Sequence, residues 1–295
     1  MLFGEIAALS AALLWSFSSL VFTDAAKRMG TLMLNITRMA LASVLILITM
    51  LIFGGEVLPT VNQVWLLALS GFVGLVIGDT FLFKSYTVLG PRVTSLIMSS
   101  NPAMAAIIAF LVFGEVLSAL SIIGMIVTLG GISLVILSKN KSESNRFHIT
   151  KAGIFYGFMG AIGQATGLIF AKMALNELAI SPLMATLVRI STSVLMLLPI
   201  MLVLKKWYNP VTMFREDKKA LLLVSIGSII GPYLGISLSF IAITYAKIGI
   251  ASSLMSTVPI LMLPLSRIVY KEKLTATSII GAFIAVGGVA MLFMK

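Results

Sequence analysis

In a chain that is 59% apolar and 11% charged, the residues able to do chemistry are few enough to be named. Arg38, in LNITRMALAS, and Arg189, in ATLVRISTS, stand inside long apolar runs, and Asp79 is the one carboxylate well inside such a run. An ionisable group held in hydrocarbon is costly, so each marks an ion partner or a functional position. The two arginines lie at matching depths, roughly 10 Å into their runs at 1.5 Å per residue; as a pair they either brace helices or line a pathway. Asp79 has three options: ion partner for Arg38, proton-titrating group, or contact for a substrate ammonium.

Near the middle of other runs stand Trp15, Asn101 with Pro102, Gln164, Tyr233 and Pro259. Trp15 with Ser16, Ser18 and Ser19 forms a polar and aromatic strip suited to a cavity wall, whereas Phe83 and Tyr86 read equally as lining or as lipid-interface aromatics. A proline inside a helix removes one hydrogen bond and exposes the carbonyl four residues back, here that of Met98 or Met255. Asn101 is placed to fill that gap, and Ser99, Ser100, Ser256 and Thr257 can bond a substrate or their own helix.

Other chemistries lack their parts. With no cysteine and a single histidine, His148 in a polar loop, there are no disulfides or thiolate metal sites and little imidazole chemistry, so no cofactor is expected. A membrane-embedded enzyme needs a nucleophile, an acid–base pair or a metal set, which one carboxylate does not supply. The net charge of +11 does not indicate nucleic acid, because the Lys and Arg residues punctuate apolar runs instead of clustering on one solvated face.

These residues must be positioned by membrane-crossing helices, as the mean hydropathy of +1.11 implies. About 20 apolar residues cross a bilayer as a helix. Breaks at polar and turn-rich points predict ten spans, near 3–23, 31–53, 64–84, 92–113, 118–138, 152–172, 181–204, 220–244, 249–270 and 275–294. The start of the chain has no basic n-region or cleavage site, so no signal peptide is expected.

The chain repeats itself at a shift of 157: Ser95, Met98, Ser99, Pro102 and Glu115 fall on Ser252, Met255, Ser256, Pro259 and Glu272. Gly74 and Gly78 fall on Gly231 and Gly235, and Gly130-Gly131 on Gly287-Gly288. Two units are therefore expected, residues 1–140 and 151–295, with a polar linker at 141–150. Five helices per unit make the second copy enter from the opposite face, so the fold class is all-α integral membrane with two inverted five-helix repeats, a plan that places binding near the midplane. Fifteen basic residues on the linker side against three on the other put the linker in the cytoplasm and both termini outside.

AALLWSFSSLVF (Ala11 to Phe22), the arginine of TRMALAS and GPRVTSLIMSSNPAMAAIIAFLVFGE, with their second copies at Pro259 and Glu272, resemble the drug/metabolite transporter superfamily, EamA type. The resemblance implies a basket of ten helices around a cavity whose wall includes Trp15, Asp79, Phe83, Met98, Asn101, Gln164, Tyr233 and Ser256. It implies export or facilitated passage of small metabolites such as amino acids. It also implies cytoplasmic termini and a basic loop after helix 2, whereas residues 54–63 carry no Lys or Arg; the charge count is followed here.

The expectation is thus a secondary transporter in the cell (inner) membrane, monomer or homodimer, working by alternating access with Pro102 and Pro259 as gates. Trp15, Phe83 and Met98 supply apolar walls, and Asn101, Gln164 and Tyr233 polar anchors. An anionic substrate recruits Arg38 or Arg189, and Asp79 is the point of proton coupling. The alternative is an uncoupled, channel-like facilitator.

Overall fold

The computed structural model describes residues 2–54, 58–114, 116–137, 147–177, 180–246 and 248–294, and no strand occurs among them. Glu115, most of the linker, Lys247 and Lys295 lie outside the described residues. The first half comprises α1 (Leu2–Met29), α2 (Thr31–Phe53), α3 (Val61–Gly71), a π-helical stretch Phe72–Gly78, α4 (Asp79–Met98), α5 (Asn101–Phe113) and α6 (Ala119–Leu137). The second comprises α7 (Lys151–Leu175), α8 (Pro182–Val203), α9 (Pro210–Glu216), α10 (Lys218–Ser228), a π-helical stretch Ile229–Gly235, α11 (Ile236–Tyr245), α12 (Ile248–Met255), α13 (Val258–Tyr270) and α14 (Ala276–Leu292). Among the described residues eight helical runs are long and apolar enough to cross a membrane, and α5 and α14 are shorter apolar helices.

Local chemistry sets the boundaries. Thr60 and Gln63 form a reciprocal capping box on α3, while Thr150, Ser181 and Thr275 accept backbone N–H groups at the starts of α7, α8 and α14. Asp217 caps α10 and pairs with Arg28 at 2.9 Å. The Ala220 N–H, and then Arg28, hold its carboxyl below its ordinary value. Gly90, at φ 79°, breaks α4 ahead of Pro91, a left-handed conformation that favours glycine.

The duplication survives in the backbone at the same shift of 157. The two π-helical stretches coincide under it, as do the starts of α5 and α13 and the left-handed caps at Gly114 and Lys271. This alters the expected role of the prolines. Pro102 and Pro259 lie in the first turns of new helices, where a missing N–H costs nothing, and the chain is broken just before them, at Ser99-Ser100 and Ser256-Thr257. The hydroxyls of these four residues bond back to Leu96, Ile97, Ser252 and Leu254 carbonyls. The basic stretch between α8 and α10, expected as loop, contains the short α9.

Helices approach one another through glycine. A Cβ on Gly163 would lie 2.7 Å from Gly78 Cα, and one on Gly167 2.7 Å from Gly74 Cα, so α7 meets the first π-helical stretch backbone to backbone. The α6–α14 crossing uses Gly124 and Gly131 against Gly288 and Gly281. Close small-residue contact gains dispersion energy that burial alone does not supply between helices in lipid. Outward faces are apolar, with Leu51, Phe53, Leu111, Ile126, Leu195 and Ile268 exposed. One buried cluster, including Phe22, Met39, Phe83 and Leu197, joins α1, α2, α4 and α8; a second, including Leu89, Ile97, Ile132 and Leu263, joins α4, α6 and α13.

Gly163→Val is expected to cost about 1–3 kcal/mol through overpacking, read as a lower unfolding temperature in detergent. Gly130→Ala, where an added Cβ meets nothing within 4 Å, is expected to hold or raise that temperature, since alanine favours the helix over glycine.

Candidate functional site

Two adjoining chambers occupy the middle of the molecule. The larger, about 480 Å³, is walled by Trp15, Phe22, Arg38, Asp79, Phe83, Gln164 and Arg189 together with Ser18, Ser19, Leu168, Thr186, Ile190, Pro232, Ile236 and Ser239. The smaller, about 310 Å³, lies beside the two helix breaks and is walled by Met98, Asn101, Pro102, Met255, Ser256 and Pro259. Trp15, Leu82, Tyr86 and Gln164 belong to both. The combined space is within the range of small-molecule sites.

The polar heart of the larger chamber is a chain of contacts across α2, the first π-helical stretch, α4 and α7, and so across both halves. Arg38 on α2 pairs with Asp79 through Nη2 and Oδ2, and donates to Asn35 Oδ1 from Nε at 3.2 Å and from Nη2 at 3.1 Å. Asn35 in turn donates to the Leu75 carbonyl at 2.7 Å. Gln164 on α7 donates to the other Asp79 oxygen. Arg38 also stacks over Phe83, 4.8 Å from the ring centroid. The π-helical register makes this possible: the Asp79 N–H reaches the Gly74 carbonyl, five residues back, which turns Asp79 toward α2 and α7.

Arg189 on α8 lines the same chamber, with its Nε buried and without a partner. Asn101 donates to the Ala161 carbonyl of α7 at 3.4 Å, a contact between the breaks and the second half rather than a local repair of the helix. Tyr233 lines neither chamber. Its hydroxyl bonds Thr49 on α2 at 2.8 Å.

Packed layers lie toward both ends of the bundle: on the far side Ala7, Ala8, Ala242 and Ala251 pack together, with Phe3 edge-on to Tyr245 at 5.4 Å, joining α1 to α11 and α12. On the linker side Phe22 packs edge-on to Phe83 at 5.6 Å. Beyond them Tyr270 donates to the Leu20 carbonyl and Asp24, each at 3.2 Å, and packs against Phe147. Lys27 sits 3.8 Å over the Phe147 ring, and Arg92 bonds Glu272 at 2.5 Å. On the far side the wall includes Thr186, four residues into α8, about 6 Å from its end.

The sequence profile of the EamA-like transporter family matches residues 2–137 and 151–294. The chain belongs to the EamA-like transporter family. Each half of this multi-pass membrane protein is thus one family repeat, in a family of transporters within the drug/metabolite transporter superfamily. A solved crystal structure of another protein superposes with a TM-score of 0.66 at 16% identity, covering 98% of this chain and 95% of that one; at that identity it speaks to the fold alone. No curated relative matches the chain.

Eleven of the twelve residues singled out from the sequence of this EamA-like protein therefore border one chamber or the other, and Tyr233 does not. Sequence reasoning missed Asn35, although it stands three residues before Arg38, the spacing that puts two side chains on one helix face. Thr186 holds the corresponding place before Arg189, and that parallel was the signal available.

Breaking the central pair leaves a charge without its partner. Asp79→Ala is expected to destabilise the protein by about 3–5 kcal/mol, and the double variant Arg38→Met/Asp79→Leu to recover most of that loss, measured by unfolding in detergent. Equal unfolding temperatures for wild type and Asp79→Ala would contradict this role.

Proposed function

We propose that this protein is a secondary transporter of small organic solutes, working by alternating access in the cell membrane. Gly90, which separates two crossings within the run Val61–Met98, supports reading ten crossings as two inverted five-helix repeats. The basic residues on the linker side support placing the linker in the cytoplasm and both termini outside.

The observation that carries the reading is a central cavity shared by two duplicated halves, with aromatic and polar layers packed between it and the linker side. A carrier must seal one end while the other admits solute, and inverted repeats supply two related conformations by exchanging the roles of the halves. The packed layers from Phe22 to Tyr270 support a carrier over a channel-like facilitator. The breaks before Pro102 and Pro259 are the elements on which α4 and α12 would swing relative to α5 and α13. Trp15, Met98 and Ser256 would contact solute, with Asn101 and Gln164 as polar anchors. Protons would enter through Asp79, whose protonation would free Arg38 and Gln164 together.

In proteoliposomes, solute uptake is expected to saturate and to accelerate with solute inside the vesicle. Pro102→Ala/Pro259→Ala, which lets helices continue through the breaks, is expected to slow exchange on the order of tenfold, about 1.4 kcal/mol of barrier, with binding unchanged. Asp79→Asn is expected to remove the pH dependence of flux. Linear flux without counterflow would point to a facilitator, and full rate with full pH dependence in Asp79→Asn would remove protons from the cycle.

A further inference from the structure

Arg189 is the charge in the cavity whose guanidinium has no hydrogen-bonded partner. The described residues bordering the two chambers include two arginines and one aspartate, with no Glu, Lys or His. Arg38 is held by Asp79 and Asn35, and Asp79 has one oxygen on Arg38 and the other on Gln164. The Arg189 side chain makes no hydrogen bond or ion pair with a described residue, and its Nε is buried without a partner. The residue beside it is a glycine: a Cβ on Gly74 would lie 2.7 Å from Arg189 Nη2. The guanidinium therefore rests against bare backbone, with room made for it and no acceptor provided.

A guanidinium carries five N–H donors; here Nε is buried without a partner while the side chain as a whole is only half-buried, which leaves the outer N–H groups open to the chamber. A purely structural arginine at this depth would be turned to carbonyls or a carboxylate, as Arg38 is. The arrangement is instead complementary to an anion that arrives from outside. The planar fork matches a carboxylate or sulfonate edge, and Leu168, Ile190, Pro232, Ile236 and Trp15 offer apolar surface beside it. No carboxylate with an open oxygen stands among the described wall residues to receive an ammonium.

We propose that Arg189 anchors the anionic group of the transported solute, and that the site prefers an organic monoanion with an apolar body over a zwitterion or a cation. This rests on the carrier reading for its biological sense, but the binding step is testable without flux.

The test uses the full chain in detergent with three probes sharing one branched apolar body: 4-methylpentanoate, L-leucine and 3-methylbutylamine. The anion is expected to raise the unfolding temperature at concentrations about tenfold lower than the zwitterion needs, and the cation to have no effect. Arg189→Gln is expected to unfold at a higher temperature than wild type without ligand, since an unpaired charge is gone, and to lose the response to the anion. Arg189→Lys is expected to keep part of that response. Equal stabilisation by all three probes, no stabilisation by the anion, or an Arg189→Gln variant that is less stable yet keeps the anion response would each overturn the proposal. Flux of the membrane-impermeant 3-methylbutane-1-sulfonate into proteoliposomes separates the two readings. Arg189-dependent binding without flux would uphold the anchor and overturn the carrier. Saturable flux of the probes with no advantage for the anions would uphold the carrier and overturn the anchor.

Discussion

The contact of Arg38 with Asp79 joins α2 to α4 at a depth where lipid provides neither water nor counterion. A charge there is costly without partners, and much of the surrounding architecture supplies them to Arg38 and Asp79. Asn35 accepts from Nε and Nη2 of the guanidinium, Gln164 takes the second carboxylate oxygen, and the Phe83 ring covers the cation from one side. Because Gln164 comes from α7, the set spans both halves of the chain. Movement of one half against the other must therefore loosen this network or carry it along as a unit, and either outcome couples the polar centre to the state of the cavity.

Precise placement of so few polar groups needs close and stiff helix packing. The glycines at 74 and 78 let α7 lie directly against the first π-helical stretch, and that stretch shifts the backbone register so that Asp79 faces its partners. The glycine crossing of α6 with α14 stands away from the chambers and ties the ends of the two repeats together. The breaks at Ser99-Ser100 and Ser256-Thr257 are different in kind. Their hydroxyls satisfy the local carbonyls, so the chain can bend there without exposing polar backbone to lipid.

Much of this was legible in the sequence. The shift of 157 that aligns Pro102 with Pro259 also aligns two π-helical stretches and two left-handed caps, because identical spacing folds into identical local structure. The rarity of charge in an apolar chain was enough to bring Arg38, Asp79 and Arg189 to attention, since hydrocarbon makes each such residue a commitment. Facing was less legible. Tyr233 lies within the stretch Ile229–Gly235, where i→i+5 bonding departs from the ordinary helical period; Gly231, Pro232 and Ile236 border the chamber while Tyr233 turns to Thr49. The prolines were read as interruptions of continuous helices, whereas they begin new ones, because sequence shows that a helix is perturbed more readily than where it has already ended.

The central claim is a midplane site covered on the linker side, with an arginine awaiting an anion. The chain has no native cysteine, so a single Thr186→Cys reports on that site without interference. The decisive measurement is its modification by a membrane-impermeant maleimide applied separately to each face of reconstituted vesicles, with and without 3-methylbutane-1-sulfonate. The account expects rapid labelling from the face opposite the linker, and slower labelling when the sulfonate is present in a chain that retains Arg189. Equal labelling from both faces, unaffected by the sulfonate, would contradict it.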